Sequence, residues 1–153
     1  MKDSIKIISS NKKAYFDYEI IDHYEAGVVL QGTEVKSIRA GLVNLKESFA
    51  KFLQDELWIV NMHVNEYKFG NIHNHNPTRS RKLLLHKKEL IKLERATKEK
   101  GLTLIPLKIY LKKGKIKIEV GLCKGKKLYD KRETSKKRDA DREMDRISKN
   151  FNR

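Results

Sequence analysis

Between Leu107 and Leu122 the chain alternates twice. Leu107, Ile109 and Leu111 are separated by Lys108, Tyr110 and Lys112. After Lys113-Gly114, the apolar Ile116, Ile118, Val120 and Leu122 are interleaved with Lys115, Lys117 and Glu119. A period of two excludes a helix, whose apolar positions recur every three or four residues. The glycine turn between the runs predicts a hairpin with one apolar and one basic face. The apolar face must be covered by other elements, so this feature points the chain to an antiparallel sheet or barrel.

The rest of the sequence supplies those strands. Ala14 to Ile21 and Tyr24 to Gln31 are rich in aromatic and β-branched residues and are read as two strands. Gly27 marks a bulge or a close approach to the backbone. Glu34 to Arg39, stopped by Gly41, predicts a short helix. Ser48 to Leu53 and Leu57 to Val64 read as strands joined by a turn at Gln54-Asp55-Glu56, and Arg81 to Leu85 as extended. The polar run Asn71 to Ser80 reads as an exposed loop. A helix is expected over Lys87 to Lys100, with Glu89 as capping acid, Gly101 as stop, and Leu90, Leu93 and Ala96 or Thr97 facing inward. Six short strands with little helix predict a mainly β fold with short helices, a small OB-fold-like antiparallel barrel. That barrel is expected over residues 1–123, followed by a basic C-terminal tail over 124–153.

Charge points to the partner. The 153 residues carry a net charge of +15. Within 124–153, twelve Lys and Arg stand against six Asp and Glu, so the tail carries +6 and the remainder +9. Solubility alone could use such an excess, but its one-sidedness favours nucleic acid. The tail has too few apolar residues to bury a core and is expected to be disordered alone. Ala140, Met144, Ile147 and Phe151 nevertheless share one helical stripe, so it is expected to become helical on a polyanionic partner. The single cysteine, Cys123, excludes an internal disulfide framework and a multi-thiolate zinc site. No run approaches the ~18–20 apolar residues of a membrane span. A cytoplasmic protein without membrane attachment is expected.

Several clusters carry possible chemistry. Lys108, Lys112, Lys115 and Lys117 could meet phosphates or form a solvated sheet face. Arg79, Arg81 and Lys82 flank a loop and could follow a phosphate track or stack on an unpaired base. His63, His73 and His75 lack a usual metal-ligand spacing. No nucleophile elbow, P-loop or dinucleotide fingerprint occurs. No catalytic residue, metal or cofactor is therefore assigned. Glu25 and Glu34 could accept from a base or ribose hydroxyl, support an Arg or Lys that faces RNA, or form a buried salt bridge. A general ribosome-associated or RNA-chaperone module and an RNA-processing enzyme stay open as rival classes.

The ordered runs Asn11-Lys12-Lys13-Ala14, Asp17-Tyr18, Tyr24-Glu25-Ala26-Gly27, GTEVKSIRAG from Gly32, Pro77-Thr78-Arg79, RKLLLHKKEL from Arg81 and GLCKGKKLYDKRE from Gly121 resemble the SmpB family, the tmRNA-binding or SsrA-binding proteins, along essentially the whole chain. The family commonly has an acid at the position of Asn76, and some members carry His at that of Tyr129.

The resemblance implies a non-enzymatic factor of trans-translation. Such a factor grips the tRNA-like domain of tmRNA with an OB-type barrel. It helps deliver alanyl-tmRNA, with GTP-bound elongation factor Tu, to stalled ribosomes for rescue and tagging of the nascent chain. It implies tmRNA contacts at Asn11, Lys12, Glu25, Ala26, Gly27 and Leu84, to which charge and placement add Arg79, Arg81, Lys82 and Lys124. In the tail, Lys126, Lys127, Tyr129, Asp130, Lys131, Arg132, Lys136, Lys137 and Arg138 match the stretch that meets the small-subunit decoding centre and the empty mRNA channel. Met144 and Ile147 would lie on the stripe of the induced helix. A monomer is expected.

Overall fold

The computed structural model describes residues 5–69 and 74–125. Its strands are β1 (Ile5–Ser10), β2 (Tyr18–Val28), β3 (Val43–Asn44), β4 (Phe49–Leu53), β5 (Glu56–Val60), β6 (His63–Val64), β7 (Arg81–Leu84), β8 (Thr103–Lys112) and β9 (Lys115–Gly125). Its helices are α1 (Lys12–Asp17), α2 (Gly32–Arg39) and α3 (Lys87–Lys100). The main sheet runs β1-β8-β4-β5-β7-β2-β9, and β9 pairs back onto β8. Strands β8, β4, β5, β7, β2 and β9 thus close a small antiparallel barrel, with β1 extending β8 outside the ring. Closure leaves none of these six as a bare sheet edge.

The turns use the expected chemistry. Lys113 and Gly114 both have positive φ (52° and 74°), as do Gln54 and Asp55 (50° and 65°). Two consecutive left-handed residues match the right-handed twist of flanking strands. α3 spans the expected residues, with the Glu89 carboxylate accepting from His86 N at 3.2 Å and Gly101 left-handed at φ 63°. Its Leu93 is buried in the barrel core, flanked by Leu90 and Ala96.

Four expectations are corrected. Ala14 to Asp17 is helical: the Asn11 side chain accepts from Ala14 N at 3.2 Å and caps one turn, and that turn buries Ala14 against Ile105, Leu107 and Cys123. Tertiary burial outweighs the local β preference of these aromatic residues. The two expected N-terminal strands are one, β2, whose irregularity falls between Ile20 and Asp22 rather than at Gly27. The strand expected to Val64 breaks at Asn61, which has φ 64°. The exposed loop before β7 contains a buried residue, His75. β1 was not foreseen: its sequence alternates weakly, and it gains order only by pairing with β8.

The hairpin carries one further departure. Pro106 pairs with Val120 and Lys108 with Glu119, so Leu107 is the extra residue of a bulge. The bulge separates Leu107 from Ile109. Ile109 joins the main core, while Leu107 packs in a second cluster under α1. Leu107 can lie there because residue 121 has no side chain. A Cβ at Gly121 would sit 2.7 Å from Leu107 Cδ1 and 2.9 Å from its Cγ. Gly121→Ala is therefore expected to destabilise the barrel by about 1–3 kcal/mol through overpacking. A urea melt reads this. Adding Leu107→Val to Gly121→Ala should recover part of the loss, and an unchanged midpoint for the single variant would refute the packing argument.

Candidate nucleic-acid interface

Gly27 and Leu84 are far apart in the chain but directly opposed across β2 and β7. On the other side of β2, Gly27 faces Lys117 of β9. The strand backbone is thus bare between an apolar and a cationic neighbour. Leu84 is 50% exposed. With Arg39, Lys115 and Leu30 these residues line an open groove of about 370 Å³. The Arg39 guanidinium fixes one wall by donating from Nη2 to Gly114 O at 3.0 Å. Such a groove suits a sugar–phosphate backbone: cations for phosphate, an apolar shelf for ribose or base, and no side chain where the backbone must approach.

Glu25 stands two residues before Gly27 on β2. Its carboxylate accepts from the Tyr110 hydroxyl at 2.8 Å and the Lys112 ammonium at 3.2 Å. The tyrosine hydrogen bond, helped by Lys112 and Lys117, holds the acid below its ordinary range against the opposing effect of burial. Burial and Glu25 in turn raise the Tyr110 pKa, so the phenol keeps its proton and remains a donor. Glu119 lies opposite Glu25 in the β2–β9 register, and this partnership offsets their repulsion. Glu25 is therefore the supporting partner of a cation beside the groove. Tyr110 and Arg39 were missed in sequence. Tyr110 could have been noticed as the one aromatic among the lysines of its face.

Glu34 takes the buried alternative. It stands in the first turn of α2, fully enclosed, between Arg79 Nη2 at 2.6 Å and Arg81 Nε. Arg81 is also fully enclosed and donates to Met62 O at 2.7 Å and Pro77 O at 3.1 Å. Arg81 thus organises the wall behind β7, and its expected place on a surface phosphate track is corrected: every direction its guanidinium points is filled by protein. Arg79 is partly exposed but anchored to Glu34 and to Val29 O at 3.3 Å. Lys82 is half-exposed and paired with Glu56 at 3.1 Å.

The remaining expected residues divide by burial. Asn11 is buried; its amide donates to Pro106 O at 3.0 Å and Leu45 O at 3.4 Å while capping α1. Lys12 beside it is exposed. Ala26 belongs to the core. Lys124 is exposed on β9 opposite Glu19. His63 is exposed, and His75 is held by the Thr33 hydroxyl at 2.8 Å and Val64 O at 2.9 Å. His73 and all expected tail positions, Lys126 through Ile147, lie outside the described residues. Among the described residues no helix is long and apolar enough to cross a membrane, and no cluster of three or more His, Cys, Asp or Glu could hold a metal. Burial pushes the Cys123 thiol up to about 11, which keeps it protonated.

The chain has close relatives. The family model described as SmpB protein matches residues 8–150. The SsrA-binding protein of Carboxydothermus hydrogenoformans is 59% identical over 141 residues, covering 92% of this chain and 95% of that protein. The SsrA-binding protein of Bacillus subtilis is 59% identical over 145 residues, covering 95% of this chain and 93% of that protein. Among solved structures, a chain from the one described as "tmRNA-SmpB: a journey to the center of the bacterial ribosome" superposes with a TM-score of 0.66 at 50% identity, over 78% of this chain and 85% of that one. The match runs through the barrel and the groove on it: this chain belongs to the SmpB family.

Proposed function

We propose that this chain binds tmRNA and serves trans-translation as a non-enzymatic RNA-binding factor. The barrel, residues 1–123, holds the tRNA-like domain of tmRNA. The tail over 124–153 enters the empty mRNA channel and decoding centre of a stalled ribosome. Elongation factor Tu with GTP accompanies the alanyl-tmRNA, and the protein acts as a cytoplasmic monomer. The observation that carries this reading is the groove in which Gly27 and Leu84 meet between Arg39, Lys115 and Lys117. RNA backbones and 2′-hydroxyls are read by shape, and a rigid barrel wall lined with cations supplies that.

Two measurements test it. Sequencing the RNA that copurifies with the protein is expected to return one dominant species of tRNA-like character; a broad mixture would favour a general RNA chaperone. In a binding titration, tmRNA affinity is expected to fall more than about tenfold between roughly 50 and 200 mM salt, as several phosphate contacts require. A flat response would reduce the lysines to solubility charge.

A further inference from the structure

α2 carries cations toward a second feature. Arg39 lines the groove, and Lys36, one turn earlier on the same face, places its ammonium 5.2 Å from the centroid of the Tyr67 ring. Tyr67 packs edge to face with Phe69, with centroids 5.7 Å apart at 69°. Phe69 is 80% exposed, the most exposed large apolar residue among those described. The Lys68 ammonium lies 5.9 Å from its centroid.

The segment beneath this pair is held firmly. The Asn74 amide donates to Tyr67 O at 2.8 Å, and its oxygen accepts from Tyr67 N at 3.2 Å and from His75 N at 3.1 Å. His75, buried next to it, ties the same segment to Thr33 on α2 and to Val64 O on β6. Tyr67 is thus clasped on both backbone groups. Two residues on, Phe69 holds a large aromatic ring in water, which burial energetics alone disfavour.

We propose that Phe69, backed by Tyr67, is a stacking platform for an unpaired RNA base, with Lys36 and Lys68 beside the phosphates that flank it. Every base offers a π-face to a presented ring, and lysines next to the ring neutralise the adjoining backbone. A purely apolar protein partner would find the rim of the patch cationic, whereas a nucleotide matches both ring and rim. The placement also gives continuity. Lys36 and Arg39 link the aromatic pair to the Gly27–Leu84 groove along one helix face, so one RNA can occupy both. The inference rests on the tmRNA-binding reading above.

The test uses the full chain with tmRNA and, separately, with ribosomes lacking mRNA. Phe69→Ala is expected to weaken binding about 5- to 150-fold in at least one arm, the range for losing one base stack. Phe69→Leu, apolar but without a π-face, should weaken it similarly, and Phe69→Trp should keep it near wild type. Because a stack neutralises no phosphate, the slope of affinity against salt should stay that of the wild type while the affinity at every salt falls. The urea midpoint should not move, since the ring is exposed. Loss with tmRNA assigns the base to tmRNA, and loss with ribosomes alone assigns it to ribosomal RNA. Phe69→Ala binding within twofold of wild type in both arms overturns the platform and leaves the proposed function intact. A wild-type chain that fails to bind tmRNA overturns both.

Discussion

Replacing Glu34 with alanine is expected to cost about 3–5 kcal/mol, the range for removing one partner of a buried ion pair. That is a large part of the ~5–15 kcal/mol that holds a small domain together. The cause is what remains. Arg81 would keep its charge in full enclosure, and Arg79 would lose its nearest partner, 2.6 Å away. The Gln31 backbone amide, which donates to Glu34 Oε1 at 2.8 Å to start α2, would be orphaned too. Because α2 also positions Arg39 and Lys36, the damage should reach the groove before the core. Glu34→Gln keeps the shape and should still lose much of this stability.

The same cluster predicts an acid limit. Burial pushes the Glu34 carboxyl up, but hydrogen bonds from Arg79, the Gln31 amide and Arg81 outweigh it and hold the pKa below its ordinary 4.5. A carboxylate depressed in the folded state stabilises fully above its unfolded value. That contribution is lost as pH falls through the lower folded value. Urea midpoints of the wild type should therefore be level in pH above about 4.5 with respect to this group and decline below it. Glu34→Gln should start lower and show a shallower decline. Equal midpoints for wild type and Glu34→Ala would mean that Arg81 finds water, and the cluster would then be worth little.

Ending the chain after Gly125 is the second large effect. β9 pairs with β2 as far as Gly125 opposite Tyr18, so this cut keeps every strand pairing of the described residues. Gly27, Leu84, Arg39, Lys115 and Lys117 all remain. Binding to tmRNA is expected to persist, with a somewhat lower affinity at low salt because basic charge is removed. Tagging on stalled ribosomes in a reconstituted translation system is expected to disappear. The reason is the tail's composition: net positive enough for a channel lined by ribosomal RNA, yet without a core of its own. An mRNA already in that channel would exclude it by volume and charge. If the shortened chain lost tmRNA binding as severely as tagging, the division between barrel and tail would fall.

Particular residues show how far the sequence could be read. The Lys113-Gly114 hairpin and α3 were legible because their signals are local: a period of two, a two-residue turn, a capping acid and a glycine stop. α1 was not, since Ala14–Asp17 has strand-like composition and turns helical only because Ala14 finds a pocket beside Leu107 and Cys123. The bulge at Leu107 was equally hidden, as alternation continues through it without a mark. Arg79, Arg81 and Lys82 looked like one basic stripe. In the fold they are an anchored edge, a buried strut and a surface ion pair.

The sequence by itself determined the class of fold, the basic character of both parts and, through its ordered motifs, the family. Those properties are written in periodicity, net charge and residue order, which need no knowledge of neighbours. Only the tertiary structure decided which charges are available to a partner. Arg81 and Lys117 are alike as residue types, but one faces Glu34 in the interior and the other faces a bare glycine at the surface. Burial depends on strand register and on contacts between segments distant in the chain. A cation's role is set by what lies opposite it, and pairing across the barrel alone brings Gly27, Leu84 and Lys117 together.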